Sequence, residues 1–447
     1  LTTVTNPGWP LKNEISNSGF DVWSNSTLED VGSDLAVDGT FSDTANWTEQ
    51  TGWAVTGGKA VATSAASGQQ LYQARTYTIG KLYRAVFEIS GYSAGGIKWA
   101  GPGTAGINTV YSANGTHTFV FESDAATSTI NFITDGTTTL DIEYVTLYEV
   151  TPGCVAGSGN LAFDGARRTA NAVKLWRQHN DGGTLTHDGS FYSLKMVSSS
   201  AGTGFTWPAS GGTSNGTDPV HLQKFAGRTV TMGAWVKTDQ ASNAKVRMTK
   251  DGYSTATNST HHTGDNTWQW LEVTMDCTIS PTDIRFGVEI DGAGDGSATS
   301  ANLAYVSSCM LIFGSAIGAG NYSRPSGEIV WCETAVGVQQ NLSPAAADDK
   351  VLNLEALSNG KIPKGAKAIN LRVSVRNSSV TSSQGVEYGP SSVYSEWLNV
   401  LPMVNGFTTN AVAWVDCDSN GDIYQKVSEA DATLAGLYNT VKAIQLR

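Results

Sequence analysis

The chain has 447 residues, of which 15% are charged, and 40 Asp and Glu stand against 28 Lys and Arg for a formal net charge of −12. That length has room for two to four domains with substantial cores, and an acidic balance with no block of basic residues repels phosphate backbones, which excludes nucleic acid as a partner. No apolar run approaches the roughly 18 residues of a membrane span and no signal peptide is visible, so a soluble protein without membrane insertion is expected.

Gly, Ser, Thr, Ala and Asn dominate the sequence, as in folds of many short strands joined by tight turns, so the fold class is all-β. Five cysteines are too few for a disulfide scaffold and are expected to be reduced, acting as small hydrophobes. Residues 1–34 hold NPGWP and LKNEISNSGFDVWSNSTLEDVG without a sustained period, and read as a linker or a docking segment. From Leu35 to Val150, strand-like runs spaced about ten residues apart predict a first β-sandwich. Its clearest strand, KLYRAVFEIS, turns Tyr83, Ala85, Phe87 and Ile89 to the dry side and Arg84 and Glu88 to the wet side.

TPGCVAGSGN opens a second, larger sandwich with its linker, residues 151–336. At its centre lie GRTVTMGAWVKTD and NTWQWLEVTMD, joined by a polar, turn-rich segment. Val230, Met232, Ala234 and Val236 share one face of the first run, and Leu271, Val273 and Met275 share one face of the second. The opposite faces place Trp235 beside Thr and Lys, and Trp270 beside Glu and Thr. Residues 337–447 form a smaller C-terminal β-domain, with one short helix in SEADATLAG. The modules share an order of elements, but no sequence repeat.

Two familiar patterns fail on context. GPGTAG (101–106) matches GxGxxG with no helix after it to aim amides at a pyrophosphate, and GTSNG (212–216) matches GxSxG without the strand and helix of a nucleophile elbow. The run Asp416, Asp418, Asn420, Gly421, Asp422 begins like a calcium loop, but Val427 replaces the bidentate Glu; its Asn-Gly favours a hairpin turn, with a bound cation as the alternative. A second structural Ca²⁺ site could form where Asp38 meets Asp141 or Glu143 across the sandwich edge. His261, His262 and Asp265 lack a third His or Cys and read as a solvated loop. No two carboxylates can be paired for glycosidase chemistry, so the chain is read as non-enzymatic.

The aromatic residues carry the functional reading. Sugars stack their C–H faces on flat rings, so a tryptophan on the wet face of a sandwich is suited to carbohydrate. Trp235 and Trp270 are the primary candidates, Trp99, Tyr111 and Trp207 are secondary ones, and Trp47, Trp53 and Trp268 are assigned to the core. The competing use of wet-face tryptophans is packing against a neighbouring domain or subunit.

LAVDGTFSDTANWT with GWAVTGGKAVAT and LDIEYVTLYEV resembles a carbohydrate-binding-module-like jelly roll of the kind found in tandem in tailed-phage virion proteins. GSFYSLKM, GRTVTMGAWVKTD, NTWQWLEVT and ANLAYV resemble a second. NSGFDVWSNSTLEDVGSDL is similar to the lead-in of such modules in tail-fibre and appendage proteins, and GKIPKGAKAINLRVSV with WVDCDSNGDIY resembles their small C-terminal β-domain. The resemblance implies two jelly-roll-like sandwiches followed by a smaller β-domain. It further implies a location in a virion, other virion proteins as partners, a homotrimer, and binding to bacterial surface polysaccharide. ANLAYV lacks the acidic residue common in that closing strand, so no calcium site is carried over there. The alternatives are a glycan-binding region of a secreted bacterial hydrolase or adhesin, and a purely structural decoration protein.

Overall fold

The computed structural model describes residues 11–447 except 104–108, 156–160, 171, 181–183, 188–189, 209–221, 251–254, 292–301, 325–326, 343–348, 378–384, 394–397, 402–403, 405, 428–433 and 447. GTSNG at 212–216 and most of SEADATLAG lie outside the described residues. The chain is all-β, and it divides into two compact units, Leu28–Thr151 and a larger one formed by Leu1–Thr27 with Pro152–Arg447.

The smaller unit is a jelly-roll-type sandwich. Its strands are β1 (Thr27–Val31), β2 (Thr48–Glu49), β3 (Trp53–Thr56), β4 (Lys59–Ala65), β5 (Gln70–Thr76), β6 (Leu82–Ala94), β7 (Ile97–Trp99), β8 (Gly115–Glu122), β9 (Thr127–Thr134) and β10 (Thr138–Cys154). One sheet runs β3-β4-β10-β6-β8 and the other β2-β5-β9-β7. Alternation sends Tyr83, Ala85, Phe87 and Ile89 of β6 into the core, where each is at most 2% exposed, together with Trp47, Trp53 and Trp99. Arg84, on the wet side of β6, pairs with Asp30.

The larger unit begins with a second jelly-roll-type sandwich. It contains β11 (Arg167–Arg168), β12 (Val173–His179), β13 (Tyr192–Ser198), β14 (Thr203–Pro208), β15 (Thr229–Lys237), β16 (Ala244–Lys250), β17 (Thr255–Asn258), β18 (Gln269–Asp276), β19 (Ile284–Ile290) and β20 (Leu303–Phe313). β18-β15-β20-β13-β12 faces β11-β14-β19-β16-β17. The segment between β15 and β18, expected to be turns, therefore contributes β16 and β17 to the opposite sheet. Its AKVRMTK run buries Ala244, Val246 and Met248 and turns Lys245 and Arg247 outward, where Lys245 bridges Asp291 at 2.6 Å and Glu289 at 3.2 Å.

The C-terminal domain is a smaller sandwich of β21 (Ile329–Leu342), β22 (Lys350–Leu352), β23 (Ala368–Asn377), β24 (Val386–Gly389), β25 (Leu398–Val400), β26 (Thr408–Asp416), β27 (Ile423–Val427) and β28 (Leu434–Gln445). Its sheets are β21-β28-β23-β26 and β22-β27-β24-β25. VLNLEAL, read as a strand, breaks after Leu352 into one helical turn, Leu354–Leu357, capped by the Asn353 side chain. β21 starts before residue 337, because Val330 already packs in this core.

Residues 11–27 belong to the interior of the larger unit. Phe20 and Trp23 are fully buried against Phe163, with ring centroids 4.9 and 5.7 Å away, and Val22 enters the C-terminal core. Asn17 holds this segment in shape: its Oδ1 accepts from the amides of Asp21 and Val22, and its Nδ2 donates to the carbonyls of Val22 and Asp164. The Asp164 carboxylate takes the Ser24 amide and hydroxyl at 2.5 Å each and the Glu333 amide at 2.8 Å. Arg324 joins Asp21 to Glu328. Burying so many polar groups is tolerable only because they satisfy one another.

Candidate functional site

The register of β15 and β18 sets Trp235 directly opposite Trp270 and Gly233 opposite Glu272. Both tryptophans are half-buried and meet edge to face, centroids 5.8 Å apart at 62°. The core faces of the same strands are as dry as their alternation predicts: Val230, Met232, Ala234 and Val236 are at most 1% exposed, and Leu271, Val273 and Met275 at most 5%.

The outward face is less open than its residue types suggest. His187 stacks on Trp235 at 3.9 Å and 18° and stands edge-on to Trp268 at 5.7 Å, while Lys237 Nζ donates to the Thr184 carbonyl. Trp270 lies over Gly233, where an added Cβ would come within 2.0 Å of its Cζ2. Its Nε1 donates to Glu272 Oε2 at 2.8 Å, and the same carboxylate accepts the amides of Ile317 and Gly318. Met310, Ile312 and Ile317 form a small dry cluster against Leu11, Trp270 and Tyr322. Sequence reasoning missed His187 and assigned Trp268 to the core, whereas Trp268 is half-buried beside His187.

The secondary aromatic candidates do not join this pair. Trp207 belongs to β14 and is 4% exposed, edge-on to Phe205 and stacked on Phe286, so its ring is core rather than loop surface. Trp99 is also 4% exposed, edge-on to Phe119 and Phe132. Tyr111 packs edge-on to Phe87 at 5.0 Å, and burial raises its hydroxyl pKa. Strand alternation turned Trp99 and Trp207 inward, leaving no face for a sugar on either.

The carboxylates expected to meet a cation are committed elsewhere. Burial opposes ionisation of Asp38, but the Ser42 hydroxyl and the amides of Ser42 and Asp43 outweigh it and hold its pKa below the usual value. Its loop lies beside Val145, whose amide donates to Gly39, about 13 Å along β10 from Asp141. Asp141 pairs with Lys59 at 2.6 Å, and Glu143 accepts from Ser90 and sits 3.8 Å from the same lysine. A resident ammonium takes the place a cation would need.

Around Asp416, the expected hairpin is absent: β26 pairs with β23, and β27 pairs with β22 and β24, so this turn crosses between sheets. Asp418 accepts the amides of Asn420 and Asp422, and Asp422 Oδ1 accepts the Leu354 amide. Gly421 has φ 93°, and a Cβ there would stand 2.6 Å from the Gly365 nitrogen. Asn420 supplies its carbonyl to the Gly365 amide. Among the described residues no three His, Cys, Asp or Glu are grouped to hold a metal. His261 bonds Asp291 at 2.6 Å. His262 is buried, accepting the Gly264 amide at Nδ1 and facing the Thr267 carbonyl through Nε2, which braces its loop.

No family model and no curated protein matches the chain. Among solved structures, the N-terminal CBM22-1–CBM22-2 tandem domain of Xyn10C from Paenibacillus barcinonensis is 13% identical, covering 65% of this chain and 100% of its own, with a TM-score of 0.25. The tandem CBM51 modules of a family 98 glycoside hydrolase from Streptococcus pneumoniae are 10% identical over 64% of this chain and 100% of theirs, with a TM-score of 0.18. The triple jelly roll fold of an archaeal virus turret assembly is 10% identical over 95% of this chain and 97% of its own, also with a TM-score of 0.18.

Proposed function

We propose that the chain is a non-enzymatic glycan-binding protein displayed on the surface of a virion, as a fibre, spike or appendage. The observation that carries this reading is the Trp235 and Trp270 pair: two half-buried rings meeting edge to face on the outward face of a sandwich, bordered by Lys237, Glu272 and Thr274. Ring faces for sugar C–H groups beside hydrogen-bonding side chains are what carbohydrate recognition requires. The virion setting, with other virion proteins and a homotrimer around it, is supported by the sequence resemblance to tail-fibre modules and extends to bacterial surface polysaccharide as the target.

A second reading, a structural decoration protein, is favoured by the His187 stack on Trp235 and the packing of Trp270 against Ile317. Arrayed bacterial surface polysaccharides separate the two. Retention that is lost in Trp235→Ala and Trp270→Ala, with thermal unfolding nearly unchanged, supports the glycan platform; retention unaffected by both variants, or a large loss of stability with either, overturns it.

A further inference from the structure

The outward face of the four-stranded C-terminal sheet carries a different arrangement. Trp331 on β21 is paired with Ala443 on β28, Ala443 with Asn370 on β23, and Asn370 with Trp414 on β26. Directly paired residues share a face, so these four form one row across the sheet, with a tryptophan at each edge. Three strand spacings put the two tryptophan Cα atoms about 14 Å apart. The neighbours confirm the direction: Val330, Ile369, Ile444 and Val415 are at most 4% exposed in the core, whereas Trp331 is 64% and Trp414 37% exposed.

Between the rings lie Ala443, small and buried, and Asn370, polar and partly exposed. The next outward position on β23 is Arg372, diagonal to Trp414 at about 7 Å. Arg372 Nη2 donates to Asn410 Oδ1 at 3.3 Å, and that oxygen also accepts from the Ser374 hydroxyl at 2.5 Å, so the guanidinium is held along the sheet. The outward residues of β23 include Asn370, Arg372, Ser374 and Arg376, and those of β26 are Thr408, Asn410, Val412, Trp414 and Asp416. Two arginines against one carboxylate, Asp416, on these two outward faces contrast with a net charge of −12 for the chain.

We propose that this face is a separate binding site for an anionic polysaccharide, with Trp331 and Trp414 stacking two sugar rings of one chain and Arg372, the next outward position beside their row, receiving a carboxylate. Widely spaced rings over a small floor suit a chain of flat units better than a protein side-chain surface, and planar guanidinium groups match carboxylates. The site is independent of Trp235 and Trp270.

The test is native affinity electrophoresis of the full chain in gels containing polygalacturonate, with dextran as the neutral control and light scattering on the same samples. Retardation by polygalacturonate and not dextran is expected, weakened by salt. Trp331→Ala, Trp414→Ala and Arg372→Gln are each expected to reduce affinity about tenfold with unchanged melting, while Trp235→Ala and Trp270→Ala leave it intact. Absence of retardation in polygalacturonate and in alginate overturns the proposal, as does retardation unaltered by all three variants. A fall in oligomer mass in Trp414→Ala with binding unaffected also overturns it, by assigning the exposed edge of β26 to a second copy of the chain.

Discussion

Arg177 of β12 and Glu355 of the helical turn in the C-terminal domain form an ion pair sealed from water, Nη2 to Oε1 2.5 Å, with the two side chains 0% and 2% exposed. The guanidinium also lies 4.2 Å over the Tyr192 ring and donates to the Asp21 carbonyl, while Tyr192 donates to Glu355 and accepts the Lys364 amide. The second sandwich, residues 11–27 and the C-terminal domain are thereby tied at one buried point.

Removing one partner leaves a buried charge uncompensated. Arg177→Met is expected to destabilise the larger unit by about 3–5 kcal/mol, whereas Arg177→Met with Glu355→Leu recovers most of the loss. Thermal melts of the single and double variants check this; equal loss in both would show that packing rather than charge governs the contact.

Stability is expected to peak in mild acid. Burial raises the Asp164 and Glu328 carboxyls above their ordinary 3.8 and 4.5, so the native state binds the extra protons and stability falls as pH rises through their folded values. The Thr267 hydroxyl leads the hydrogen bonds that lower Asp265 to about 2, and Lys245 and His261 outweigh burial to lower Asp291, so stability is lost as pH falls below their ordinary 3.8. Melting temperature should therefore be highest at about pH 4, falling as pH rises through the raised folded values of Asp164 and Glu328 and falling again as pH drops below the ordinary 3.8 of Asp265 and Asp291. A steady rise up to pH 7 would contradict this.

Gly233→Ala tests how firmly Trp270 is seated. The new methyl would meet the indole at 2.0 Å, so the ring must leave its place over β15 and the Glu272 bond must break. The expected cost is about 1–3 kcal/mol of overpacking, read in a denaturant melt. A neutral substitution would mean that Trp270 is free to swing outward.

Calcium should leave the protein unchanged. Asp418, Asp38 and Asp141 already spend their oxygens on amides, hydroxyls and Lys59, so neither millimolar calcium nor chelator should move the melting temperature by more than about 1 °C. Asp418→Ala, by contrast, should cost about 1 kcal/mol through loss of its turn-closing bonds, and Asp418→Asn much less. A calcium-dependent rise in melting temperature would reinstate a metal site.

Much of this was legible in the chain because alternation is local. The dry faces of β6, β15 and β18 follow from side chains pointing alternately up and down, and turn residues between short runs identify an all-β fold. What alternation cannot show is what lies above a strand. Trp207 and Trp235 are both strand tryptophans, yet one faces Phe286 and the other His187, residues distant in sequence. The Asn-Gly turn after β26 was legible as a turn, but the sheet its next strand joins was not, since that depends on the distant strands β22 and β24. Residues 11–27 show no period because no strand regularity governs them; Asn17, Phe20 and Trp23 fit the seam between two cores, which exists only once both have formed. Local chemistry thus determined the strands and their faces. Long-range packing decided which tryptophans stay at the surface, because only a neighbour brought in by the fold can cover a ring.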